Sequence, residues 1–310
     1  VAKTGPWNAA VAASTHNRIV AHPIDAWTDT AERLDMGALQ GNGTQLAADL
    51  TDNILWAGEV NAANVEGCTA WDAGAFAGVI GLAQRGGCDF LVKLNNLADA
   101  GATYAVIYNN VSGPPITMGF DPLPDISGVM TTLEQGLEMA ALISGIPEAE
   151  VTIHVGAVVV LNEEWNDIMA GFSSRGPSEW ELLKPDYIAP GVNILAAVSV
   201  AGDDTSTYDF YQGTSMAAPH GTGAAALLMD LHPDWSPAEI KSAIATTANA
   251  DILEDDSVAV TTAEPFDMGS GRIELSAAAY AGFVMDETSA NYIAADPYLG
   301  GEPNTLNQPS

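Results

Sequence analysis

Eleven residues, Gly213-Thr214-Ser215-Met216-Ala217-Ala218-Pro219-His220-Gly221-Thr222-Gly223, restrict the fold more than any other part of the chain. The stretch 215–231 reads as a helix, yet positions 217, 218, 221, 223 and 224 carry only alanine or glycine. A helix this bare fits close against a sheet or against partner residues. Gly213-Thr214 permits a sharp turn into it and places Ser215 at its N-terminus. Backbone N–H groups lack intrahelical partners there, and the positive end of the helix dipole adds to their pull on an anion. Pro219 would cost about 3 kcal/mol in a helix interior, so the first turn is expected to absorb it. A serine in this position has part of what a nucleophile needs. Donors for an oxyanion are at hand, and the activating base must come from elsewhere. Taken alone, Gly-Thr-Ser also reads as the start of a buried small-residue helix.

The remaining elements alternate. Residues 7–15, 53–60, 78–83 and 104–108 read as strands, with a polar, glycine-containing stretch reaching to about residue 50. Phe90, Leu94 and Leu97 share one helical face that stops at Ala100-Gly101. Strand, helix and strand over 78–108 form a βαβ unit, which implies a parallel pair. Residues 133–143 form an amphipathic helix, and 151–154 and 194–198 are strands. A helix starts at Pro237, with Ser236 as N-cap and Glu239 as its capping-box partner. Residues 296–310 are Pro/Gly/Asn-rich and read as a linker.

Charge narrows the partners. Forty acidic and nine basic residues give a net charge of −31, which repels nucleic acid and anionic membranes. The excess fits solubility in a salty or cold medium, or a set of calcium sites, since calcium takes carboxylate and carbonyl oxygens. No EF-hand loop occurs and no metal ligand is assigned. No apolar run is long enough to span a membrane. The opening residues lack a signal peptide and read as an internal cut. Cys68 and Cys88 are free thiols in a reducing compartment. In a secreted chain they form one bridge, which stabilises a loop of this size by about 3 kcal/mol. Neither lies in a CxxC motif, which argues against zinc or redox chemistry.

The run 213–220 closely resembles the serine motif of the subtilase family. Further segments resemble that family in the same order: Phe172-Ser173-Ser174-Arg175-Gly176-Pro177, Lys184-Pro185-Asp186 with Ala189-Pro190-Gly191-Val192, Trp235-Ser236-Pro237-Ala238-Glu239-Ile240-Lys241, and Gly269-Ser270-Gly271-Arg272-Ile273. Val11-Ala12-Ala13-Ser14-Thr15 joins them from the start of the chain. Residues 45–155 resemble a protease-associated (PA) domain, through Arg85-Gly86-Gly87-Cys88-Asp89-Phe90, Lys93, Asn96 and Val106-Ile107-Tyr108-Asn109-Asn110. The resemblance implies an α/β fold: a partial doubly wound, mainly parallel sheet with an inserted α+β or β-rich PA domain. It divides the chain into a catalytic-domain segment (1–20), the insert with its flanking loops (21–156), the later catalytic domain (157–285) and a linker toward a further domain (286–310). It also implies a Cys68–Cys88 bridge. Arg85 and Asp89 are read as a structural ion pair beside that bridge.

The resemblance implies a secreted serine endopeptidase acting on protein or peptide through an acyl-enzyme on Ser215, with the Ser215 backbone N–H as half of the oxyanion hole. The catalytic Asp and His and the oxyanion Asn would come from an upstream segment, as a partner of this chain. Asp72-Ala73-Gly74 and Asp99-Ala100-Gly101 fit the aspartate motif loosely, but both lie in the insert. His220 follows Ser215 by five residues on one helix. It therefore points about 140° away and about 7.5 Å along the axis, which excludes it as the base. His16, His22, His154 and His232 read as structural or exposed. Without its base the isolated chain is expected to be inactive, and its sheet to need the upstream segment for stable folding. The alternative is a non-catalytic module whose PA domain captures protein substrate. Calcium remains possible by resemblance only.

Overall fold

The chain opens with β1 (Val11–Ser14), shorter than the 7–15 strand expected, with Ala12, Ala13 and Ser14 buried. The computed structural model describes residues 5–199, 207–255 and 259–306. The expected outer segments therefore extend beyond the described residues at 1–4 and 307–310. Two compact units form: Asn17–Trp165 is one, and Val1–His16 with Asn166–Ser310 is the other.

The Asn17–Trp165 unit begins with two long strands, β2 (Arg18–Trp27) and β3 (Glu32–Gln40). The sequence reading missed both, because small residues stand at many of their inward positions. Ala21, Ala26 and Ala38 are fully buried, yet alanine carries little of the alternation that marks a strand. β4 (Leu50–Trp56) then runs into one helical turn, α1 (Ala57–Val60), so the expected 53–60 strand is half strand and half helix. β5 (Ile80–Gln84), α2 (Phe90–Asp99) and β6 (Tyr104–Tyr108) form the parallel crossover that the periodicity implies. β7 (Gly128–Thr131), α3 (Leu133–Ile143), β8 (Glu150–Ile153) and β9 (Val158–Leu161) complete the unit. The Thr132 hydroxyl caps α3 by accepting from the Gln135 N–H.

The strands lie in the order β3-β7-β6-β5-β4-β8-β2-β9, and β2 also pairs with β3, which closes a seven-strand ring. β4 to β7 are parallel, and the contacts of β2, β3 and β8 are antiparallel. β6 is buried on both faces. Tyr104, Val106 and Tyr108 join one core with Met139 and Ile143 of α3, while Ala105 and Ile107 join another with Leu94 and Leu97 of α2. This double burial explains an uninterrupted apolar run, which is the mark of a strand covered on both sides. The unit reaches beyond the expected 21–156, because β2 pairs with β9 from Arg18 to Leu161.

The other unit resumes with β10 (Tyr187–Pro190), β11 (Ile194–Ala197) and β12 (Tyr208–Tyr211). Then come α4 (Thr214–Leu231), α5 (Pro237–Thr246), the hairpin β13 (Leu253–Asp255) and β14 (Val260–Thr262), and the short helices α6 (Pro265–Met268), α7 (Leu275–Ala278) and α8 (Ser289–Ala294). The expected Ser236–Glu239 capping box is present at α5. β1 pairs in parallel with β10, Val11 facing Tyr187 through Ser14 facing Pro190, and Ile188 makes a further parallel bridge to Arg272. Among the described residues these are the parallel pairings of this unit around β10. Of the expected 286–310 linker, residues 286–306 are more ordered than a bare linker, since they hold α8 and two 3-10 turns, Pro297–Leu299 and Pro303–Leu306, and 307–310 lie outside the described residues.

Candidate active site

The bare stripe of α4 does what its composition implies. Ala217, Gly221, Ala224 and Leu228, spaced along one face, are its buried residues. A β-carbon on Gly221 would stand 3.1 Å from Val11 Cγ2 and 3.4 Å from Tyr187 Cε2, so the helix lies directly on the β1–β10 pair. At the helix start the approach is tighter. A β-carbon on Gly191 would sit 2.6 Å from Ala13 Cβ and 2.9 Å from the Gly213 carbonyl oxygen. Gly213, the N-cap, has φ 151°, a conformation glycine alone adopts without strain. Its N–H donates to the Gly191 carbonyl (2.8 Å), and its own carbonyl accepts from Met216 (2.9 Å) and Ala217 (3.2 Å).

Ser215 follows as the second helical residue and is exposed. Its backbone N–H is one of the orphan donors of a first turn, and among the described residues neither it nor the Ser215 hydroxyl has a partner. Pro219 sits in the second turn rather than the first, contrary to expectation. It removes the N–H that would otherwise pair with the Ser215 carbonyl. Beside Ser215 opens an apolar groove of about 660 Å³, lined by Met216, Pro219 and Leu227 of α4, by Ile194 and Leu195, and by Arg272. Leu195 and Leu227 are each more than half exposed in it. Arg272 is held by Asp167 (2.6 Å) and Glu274 (2.5 Å).

The segments singled out in sequence converge on β10. The Ser173 hydroxyl accepts from the Ala13 N–H (3.1 Å) and the Gly176 N–H donates to Phe266. Arg175 pairs with Glu254 and Asp267. The Ser270 N–H and hydroxyl both donate to the Asp186 carbonyl, and Ile188 and Ile273 bond across the 269–273 turn. One feature escaped the sequence reading. The buried Asp186 carboxylate accepts from Lys184 Nζ (2.6 Å), the Ala10 N–H (2.6 Å) and Lys241 Nζ (2.5 Å). Lys184 and Lys241 also donate to the Asn8 carbonyl, which ties residues 6–10 to the floor of β10. Burial, opposed by Asp186, pushes the Lys184 ammonium down to about 8. The available signal was two lysines of a chain with only nine basic residues, both placed in apolar segments.

Among the described residues no histidine is seen hydrogen-bonded to Ser215. His220 Nδ1 donates to the Met216 carbonyl one turn back (2.9 Å), as its position on the helix requires. His232 Nε2 donates to the Ala279 carbonyl (2.8 Å) and its ring stacks on Trp235 at 3.8 Å. His22 and His154 belong to the Asn17–Trp165 unit, as do Asp72 and Asp99.

In that unit Cys68 and Cys88 form the implied disulfide, with their Cα atoms 5.7 Å apart. Lys93, fully buried beside it, donates to the Glu66 and Gly86 carbonyls (2.5 Å each), and burial pushes its ammonium down to about 8. The expected Arg85–Asp89 ion pair is absent among the described residues. Arg85 turns instead to Asn109 Oδ1 (2.9 Å) and lies 6.0 Å above the Phe90 ring, while Asp89 stands at the N-cap of α2 without a side-chain cap bond.

Two family models match the chain: the subtilase family over residues 103–271, more than half of it, and the PA domain over residues 56–139. Subtilisin-like protease SBT1.6 of Arabidopsis thaliana is 33% identical over 329 residues, covering 99% of this chain and 41% of that protein. SBT1.5 of the same plant is 45% identical over 141 residues (41% of this chain, 18% of that protein). The CO(2)-response secreted protease of the same plant is 40% identical over 152 residues (44% and 20%). The chain thus spans about two fifths of the length of the first relative and less of the others.

Proposed function

The chain belongs to the subtilase family and carries a PA domain, and from that membership we propose that it is the serine-bearing part of a secreted serine endopeptidase, with Ser215 as the nucleophile. The observation that carries the proposal is the exposed Ser215 on the first turn of α4, beside an apolar groove and with an unpartnered N–H. Its hydroxyl attacks the substrate carbonyl carbon, and the carbonyl π electrons move to oxygen. The Ser215 N–H and the first-turn dipole stabilise that oxyanion. Collapse expels the amine, which takes up the proton that left the Ser215 hydroxyl, and leaves an acyl-enzyme on Ser215, which water then hydrolyses.

The proton must go to a base, and the base belongs to a segment upstream of Val1 that also supplies the aspartate and the oxyanion asparagine. That segment packs along the groove and the exposed face of α4, where Leu227, Met229 and Leu231 are each more than half exposed. It adds the strands that make β1 and β10 part of a doubly wound parallel sheet. A protein or peptide is the substrate. The isolated chain is inactive, because triad members act as a unit. A fluorophosphonate probe tests both halves of the proposal. The complete parent labels at Ser215 and loses label and peptide hydrolysis as Ser215→Ala, while the isolated chain does not label. A parent that hydrolyses peptide normally as Ser215→Ala overturns the assignment.

A further inference from the structure

We propose that His154 is an acid-set clamp in the PA unit, bridging Asp25 of β2 to Asp49 ahead of β4, and that it fastens the segment that leaves β8 toward β9. The argument begins from donors and acceptors. His154 Nδ1 lies 2.8 Å from Asp49 Oδ2, and Nε2 lies 3.0 Å from Asp25 Oδ2. A neutral imidazole has one N–H, and a carboxylate only accepts. Both contacts exist together only when the ring is the doubly donating imidazolium. The bonds to Asp25 and to Asp49 accordingly raise the His154 pKa above its ordinary value.

The clamp sits where the backbone needs it. β8 ends at Ile153, and residues 155–157, which lead into β9, are exposed. That segment is held by the His154 N–H on the Pro23 carbonyl (2.9 Å), the Val155 N–H on Asp49 Oδ1 (2.8 Å) and His22 Nδ1 on the His154 carbonyl (3.0 Å). Asp49 thus serves the ring with one oxygen and the Val155 amide with the other. Charges on the neighbouring elements are engaged elsewhere: Glu150 with Trp27 Nε1, Asp52 with Thr103, and Glu138 of α3 with Arg33. The folded pKa is raised, so the clamp is complete below the ordinary value of 6.5 and is lost as pH rises through the folded value.

Proton NMR of the His154 ring and hydrogen exchange of the Val155 amide, both in the 310-residue chain, test this. The ring is expected to titrate with a midpoint above 6.5. The midpoint should fall toward 6.5 in Asp25→Asn and again in Asp49→Asn. Val155 protection, corrected for intrinsic rates, should drop about 2- to 5-fold between pH 6 and pH 9, the range of a partly exposed ion pair. That drop should vanish in His154→Gln. A midpoint at or below 6.5 in the unmodified chain, or a Val155 profile unaltered by His154→Gln, would overturn the clamp. If His154→Gln does not fold, the Asp25→Asn midpoint decides alone.

Discussion

Replacing Lys93 by methionine tests how charge is held inside the PA unit. The Lys93 side chain is fully buried, and its ammonium spans the Glu66 and Gly86 carbonyls beside the Cys68–Cys88 bridge. Its pKa stands at about 8 against an ordinary 10.5, so keeping it charged at pH 7 costs about 3 kcal/mol relative to water. Methionine removes that cost but leaves the Glu66 carbonyl without a donor, at about 1–3 kcal/mol, while the Gly86 carbonyl keeps the Cys88 N–H (2.7 Å). The opposing effects nearly cancel, and Lys93→Met is expected to shift stability by no more than about 1 kcal/mol at pH 7. Alkali separates them. Between about pH 8 and 10.5 the unfolded chain binds the proton that the folded chain has released, so the unmodified protein gains about 1.4 kcal/mol per pH unit. Neutral Lys93 still donates to both carbonyls, whereas the variant gains nothing. Relative to the unmodified protein, Lys93→Met should therefore lose about 2–3 kcal/mol between pH 7 and pH 10. Urea unfolding followed by the fluorescence of Trp71, which lies 5.0 Å from Phe76 in the core of the unit, measures it. No free thiol is present to reshuffle the disulfide in alkali. A stability difference between the two proteins that stays constant within about 0.5 kcal/mol across that range would refute the reasoning.

Reduction of the disulfide, or the double change Cys68→Ser with Cys88→Ser, should lower the stability of the PA unit by about 3 kcal/mol for its 20-residue separation, read as a shift of the urea midpoint at constant slope. Gly191→Ala should cost about 1–3 kcal/mol by overpacking, because the new methyl meets Ala13 and the Gly213 carbonyl. It should also slow fluorophosphonate labelling of Ser215 in the complete parent, and labelling at the unmodified rate would contradict the close packing under the helix start. Met216, half-buried at the groove, should yield a sulfoxide with peroxide. Hydrolysis by the parent should fall with it, and Met216→Ala should keep its activity under the same treatment.

The convergence at β10 shows which parts of the fold a linear reading reaches. The small-residue stripe of α4, the α5 capping box and the β5-α2-β6 crossover each depend on residues within one or two turns of each other. Their periodicity therefore carries the signal. β2 and β3 escaped because Ala21, Ala26 and Ala38 fill inward positions where a larger apolar residue would have marked the alternation. The 53–60 segment misled for a related reason: an apolar stretch does not say where strand gives way to helix, and Ala57 is buried in either. Arg85 and Asp89 are close in sequence, but Arg85 reaches across to Asn109 while Asp89 stands at the start of α2, a separation that spacing along the chain does not reveal.

By itself the sequence determined that Ser215 stands at the start of a bare helix, that Gly213-Thr214 permits the sharp turn into it, and that His220 on the same helix is out of reach. These follow from helix geometry and need no distant residue. Only the tertiary structure decided what lies beneath that helix. The Asp186 carboxylate with its two lysines draws together residues 8, 10, 184 and 241, and the His154 clamp joins positions 25, 49 and 154. A charge is stable in such places only when its partners surround it, and those partners are brought together by strand pairing across more than a hundred residues.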